Sequence, residues 1–118
     1  MLGAALTILV AVLHFYFLVL EMFLWTTPRG LKTFGQTLEK ARETAALAAN
    51  QGLYNGFFAA GLVWGFFAKP EVAFETRIFF LVCVVVAGVY GGLAGNRHIL
   101  FVQAIPAALA LALTLLAR

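Results

Sequence analysis

The sequence predicts an all-α fold: an integral membrane four-helix bundle with antiparallel neighbours and short loops. Three observations carry this expectation. Hydrophobic residues make up 64% of the 118 residues and charged residues 11%, against about 45–50% and about 25% in soluble domains. A chain this short has too much surface for its volume to hide that much apolar area from water, so a mean hydropathy of +0.99 points to lipid as the solvent. The apolar residues also fall into four stretches of roughly the 20 residues a helix needs to cross a bilayer core. The whole chain, 1–118, reads as a single transmembrane domain.

The first span covers residues 2–25 and contains two ionisable residues, His14 and Glu21. Such a group at the centre of a spanning helix costs roughly 2.5–3.5 kcal/mol on insertion scales. Thr7, His14 and Glu21 recur every seven residues and, with Trp25, fall on one stripe of the helix. Polar groups in a span should face the bundle, so the stripe predicts the inner face. Trp25 suits the membrane interface. No Lys or Arg precedes the run and no small-residue cleavage site follows it, so it is expected to stay as a helix, not leave as a signal peptide. Thr26-Thr27-Pro28-Arg29-Gly30 should stop the helix. Residues 31–36 form a short connection with room for one helical turn.

Thr37 is a plausible N-cap, so the next helix is expected to begin near residue 38. Its charged start, Glu39, Lys40, Arg42 and Glu43, reads as a solvated face. The span proper runs over residues 45–68. Near its start stands Asn50-Gln51-Gly52-Leu53-Tyr54-Asn55-Gly56. Three amides in one span are unusual, because each needs a partner away from water. Gly52, Gly56 and Ala60, and Gly61 and Gly65, stand four apart, which lets backbones approach closely. Lys69-Pro70-Glu71 ends this helix. The third span, 74–95, carries two further small-residue rows, Ala87, Gly91 and Gly95, and Gly88 and Gly92. Asn96-Arg97-His98 makes a tight connection, and the fourth span, 99–117, should kink at Pro106.

The net charge of +3 sits mostly at the span ends. Arg29, Lys32, Lys40, Arg42 and Arg97 fall on one side, and Lys69, Arg77 and Arg118 on the other. The excess is expected to place the first and third connections of a multi-pass membrane protein in the cytoplasm, with both termini outside. No basic run with stacking aromatics supports a nucleic-acid partner. Cys83, the single cysteine, lies in an apolar run and reads as a packing residue.

Depth, counted at 1.5 Å per helical residue, brings polar residues together. Glu21, Asn50, Gln51, Tyr90 and Gln103 all lie a few residues in from the same side. Arg97 and His98 lie above that layer and His14 below it. Tyr54 and Asn55 add to the candidate lining. Glu21 is expected to face inward and to hydrogen-bond the amides of the second span.

His14-Phe15-Tyr16, Leu20-Glu21-Met22, Trp25, Pro28, the run from Asn50 to Phe57, and Gln103 before Pro106-Ala107 are the residues of a resemblance. On them, the chain resembles the domain-of-unknown-function 1304 family of small bacterial and fungal membrane proteins. The match covers almost the whole chain. The resemblance implies a four-helix, multi-pass integral membrane protein of unestablished activity, with a bacterial inner membrane as its expected location. It supports the architecture and the choice of residues and adds no chemistry.

Four readings follow. The first is a pocket for a small or lipidic ligand, with Glu21 as anchor, Asn50, Gln51 and Asn55 positioning it, and His14, Tyr54, Tyr90, Arg97 and Gln103 completing the lining. The second is a structural or assembly protein whose amides only join helices. The third is an acid/base enzyme using His14 and Glu21, although seven residues along one helix set them about 10 Å apart in rise. The fourth is a transporter or channel subunit, which would need to oligomerise to enclose a path. Membrane lipids and a second copy of the chain are the expected partners. No cofactor is assigned, and no metal-ligand spacing is present.

Overall fold

The computed structural model describes residues 1–117, and Arg118, counted above among the basic residues, lies outside them. Every regular element among the described residues is helical: α1 (Leu2–Met22), α2 (Pro28–Phe34), α3 (Leu38–Phe67), α4 (Pro70–Ala94), a π-helical segment (Leu100–Ala104) and α5 (Ile105–Leu116). Two of them, α1 and α4, are long and apolar enough to cross a membrane. The apolar run Leu100–Leu116 is shorter.

Several boundaries differ from the sequence expectation, each for a local reason. Helix α1 ends at Met22, not at 25: the Leu24 amide bonds the Val19 carbonyl at 3.1 Å, a five-residue step outside the α-helical register, and the next residue is Trp25. Its indole donates to the Ala41 carbonyl at 3.0 Å and to Thr44 Oγ1 at 3.2 Å. The first helix stops ahead of Pro28, as expected, and Pro28 itself begins a second in what was expected to be a short connection. The Thr27 side chain accepts from the Gly30 amide at 3.4 Å, and Pro28 fills the first turn, where its missing N–H costs nothing. Pro70 likewise opens α4, four residues ahead of the expected 74. Thr37 caps α3 as its position predicts, accepting from Lys40 N at 3.2 Å. Near Pro106 the helix widens into the π-helical turn, with the Ile105 amide on the Leu100 carbonyl.

The chain divides into two compact units, one of Met1–Val12 with residues 58–117, the other of Leu13–Phe57. In the first, Val10, Ala11, Leu62, Leu81, Val84, Ala107 and Ala110 form the buried core. Helix α4 packs against the π-helical segment and α5. The approach is close because Gly88 faces backbone: a Cβ there would lie 2.6 Å from Ala104 N. Gly61 lies against the Phe80 ring and Gly92 against Leu100. Arg77 donates to the Gly65 carbonyl at 2.6 Å and lies over the Phe66 ring at 5.0 Å. That carbonyl belongs to the last turn of α3, where no following helical N–H can serve it, so a cation from α4 completes the helix end.

The second unit is smaller and more polar inside. His14, Leu20, Glu21, Ala41, Ala48 and Asn55 are buried. Trp25 stacks on Phe34 with ring centres 4.7 Å apart. Gly30 is buried under the carbonyls of Leu24 and Trp25, where any side chain would collide with backbone.

Candidate functional site

The site is built by two helix segments of the Leu13–Phe57 unit. On α1, His14 and Glu21 stand seven residues apart, two turns on one face. On the part of α3 within this unit, the buried positions are Ala41, Ala48, Gly52 and Asn55, on one helix face at steps of seven, four and three residues. Gly52 permits the approach of these faces. A Cβ there would lie 3.0 Å from Glu21 Cβ, 2.9 Å from Met22 Cγ and 3.3 Å from the Leu18 carbonyl oxygen. Gly56, one turn on, makes room for the Leu18 side chain.

Where the faces meet, Asn55 Nδ2 donates to Glu21 Oε1 at 2.5 Å. Glu21 is 7% exposed and Asn55 8%. A buried carboxyl without a donor would be strongly unfavourable, and the amide supplies one whether the carboxyl is ionised or neutral, since its oxygen accepts in either state. His14 is fully buried and meets the Phe17 ring edge-on at 5.1 Å. Its place on α1 puts it about 10 Å along the helix from Glu21, too far for the two to share a proton directly.

The other candidates are placed differently. Asn50 and Gln51 are exposed, as is Tyr54, whose ring lies 5.8 Å from that of Phe57. The depth match between Glu21 and Asn50 therefore gives the wrong partner. Depth fixes position along a helix and not rotation about it: Asn50 lies five residues before Asn55, which turns it by roughly 140° away from the buried face. Tyr90, Arg97 and Gln103 belong to the other unit, the first two exposed and Gln103 half-buried. Among the described residues, no three His, Cys, Asp or Glu side chains group as metal ligands.

Sequence reasoning gave no partner or role in the packing of this unit to three polar residues near α2. Trp25 holds α3 through its indole. Arg29 Nη1 donates to the Tyr16 hydroxyl at 3.0 Å. Gln36 has a buried side-chain nitrogen without a partner. The signal for Asn55, in contrast, was present. It shares a three- and four-residue row with Ala48 and Gly52, whereas Asn50 does not.

The family model of DUF1304, described as a protein of unknown function, matches residues 8–115. The chain is 31% identical over 108 residues to the uncharacterized protein YpaA of Lactococcus lactis subsp. lactis (strain IL1403), covering 90% of each chain. No solved structure matches it. The residues that build the site, from His14 to Asn55, lie inside the matched range, and the chain belongs to the DUF1304 family.

Proposed function

We propose that this is a multi-pass integral membrane protein that binds a small or lipidic ligand at the Glu21–Asn55 pair. The proposed spans are α1, the part of α3 beyond residue 45, α4, and the run Leu100–Leu116. Two of these are long and apolar enough on their own. The amides lower the apolarity of α3, but Asn55 places an N–H on Glu21 inside the protein, which lowers the cost of its burial in a membrane.

The observation that supports ligand binding is the carboxyl itself. Joining two helices needs only amides or hydroxyls, and such bonds average about 0.6 kcal/mol in a measured membrane bundle. A carboxyl is a costly way to obtain so little, and it suits instead a ligand bearing a donor or a positive charge. His14, further along the same face, offers a second buried polar group. The competing reading is a structural lock, which the same short bond also favours.

Native mass spectrometry of the detergent-purified protein separates them. The expected result is a bound mass on the wild type that is lost from both Glu21→Gln and Asn55→Leu while helical content is kept. A wild type without bound mass, or one whose bound mass survives both changes, leaves the structural lock.

A further inference from the structure

Helix α2 ends in a turn of a recurrent kind. Gly35 takes the left-handed conformation with φ 61°. Its amide bonds the Lys32 carbonyl at 3.4 Å, and the Gln36 amide bonds the Leu31 carbonyl at 3.1 Å. In this Schellman arrangement the residue after the glycine is commonly apolar and packs back on the helix. Here it is Gln36, and its Nε2 is buried with no hydrogen-bond partner. An unpaired buried amide is unfavourable, and an apolar side chain of the same shape would avoid the penalty.

Gln36 lines a groove of about 950 Å³ together with Pro28, Leu31, Lys32, Thr37 and Lys40. Both charged residues of the lining are cations, one from α2 and one from the first turn of α3. The two ammonium groups and the Gln36 amide nitrogen offer only donors. Lys40's backbone amide is already held by Thr37, so its side chain is its remaining donor. Pro28 and Leu31 give the groove an apolar part.

We propose that this groove binds a phosphate-type oxyanion, gripped by Lys32 and Lys40, with the Gln36 side chain turning out of its unpaired buried position so that Nε2 donates to one of its oxygens. A tetrahedral, acceptor-rich group satisfies all three, and basic clusters next to spanning helices recur as sites for anionic lipid headgroups. The oxyanion is supplied either by free phosphate or by a phospholipid, an acyl chain of which would lie on Pro28 and Leu31. The lipid source rests on the membrane reading above; the groove itself does not.

The test uses the full chain in two settings. In neutral detergent, inorganic phosphate is titrated by calorimetry. In nanodiscs of phosphatidylcholine with or without phosphatidylglycerol, retained phosphatidylglycerol is counted by native mass spectrometry. The variants are Lys32→Ala with Lys40→Ala, Gln36→Leu, and Arg97→Ala as an exposed cation outside the groove. The expected result is at least a fivefold loss of binding for the first two and no change for Arg97→Ala. Binding of phosphate alone identifies a soluble ligand, and binding of phosphatidylglycerol a lipid. Gln36→Leu is also expected to melt no lower than wild type when unliganded, since it removes an unpaired amide; that combination of weaker binding and undiminished stability is not the behaviour of a structural residue. Should the double lysine variant lose helical content, Lys40→Gln takes its place. Failure of the wild type to bind either probe overturns the proposal, as does equal loss in Arg97→Ala. A chain that does not enter nanodiscs counts against the membrane reading, and the phosphate titration still decides the groove.

Discussion

The two units are held by different physics. In the unit of residues 1–12 and 58–117, helices meet largely through glycine, alanine and apolar side chains, and the main buried cluster is apolar, with Thr7 and Thr114 as the buried polar residues. In the unit of residues 13–57, the buried set includes a histidine, a glutamate and an asparagine, and long-range contacts run through the side chains of Trp25 and Asn55. The first arrangement gains from closeness and asks little of any single side chain. The second relies on a few directional bonds, each expensive to leave unmade. Chemistry is therefore to be sought in the second.

The comparison can be broken at three points, measured by denaturing-detergent unfolding followed by circular dichroism. The largest effect is expected from Gly88→Ala in the apolar unit. Its new methyl would lie 2.6–2.9 Å from backbone and Cβ atoms of Ala104, which cannot yield as a flexible side chain would. Overpacking of this kind costs about 3 kcal/mol; a wild-type unfolding midpoint would show that the two segments are not in close contact.

Next comes Glu21→Leu, which strands the Asn55 amide and should cost about 2 kcal/mol. Glu21→Gln keeps an acceptor and should cost less than half of that. If Glu21→Leu proves neutral both alone and in a double-mutant cycle with Asn55→Leu, the polar unit is not held by this pair.

The smallest effect is expected from Trp25→Phe, which keeps an aromatic ring beside Phe34 but removes the donor to Ala41 and Thr44. A loss of about 1 kcal/mol follows from one net hydrogen bond. A larger loss would show that ring shape, not the donor, fixes the turn after α1.

Much of the helical architecture was legible in the sequence. Apolar length marked α1 and α4, and Thr37 marked the start of α3. What escaped was meaning that depends on context. Pro28 and Pro70 were read as ending the preceding helices, which do end before them, but not as the first-turn residues of the next ones, a role proline serves equally. Trp25 was given to the span because an indole suits an interface; its N–H instead found a carbonyl on α3. For the site, the stripe of His14 and Glu21 was visible as periodicity. The partner was not chosen correctly from depth, because depth is blind to rotation, and only the row shared with Ala48 and Gly52 singles out Asn55.

The wide turn at Leu100–Ala104 bears on how this chain can vary. In an ordinary helix the carbonyl four residues before Pro106 would face a nitrogen that carries no hydrogen. Here the Leu100 carbonyl takes the Ile105 amide, five residues on, so the helix is already wide where it meets the proline. The turn thus holds one surplus residue. A deletion between 100 and 104 can be absorbed by tightening that turn, leaving Ala107, Ala110 and Thr114 in phase with one another. A deletion within α4 has no such slack: every position beyond it rotates by roughly 100°, and Gly88 and Gly92 lose their shared face with Leu81 and Val84. Length differences among homologues should collect at the wide turn and avoid the glycine-bearing helix.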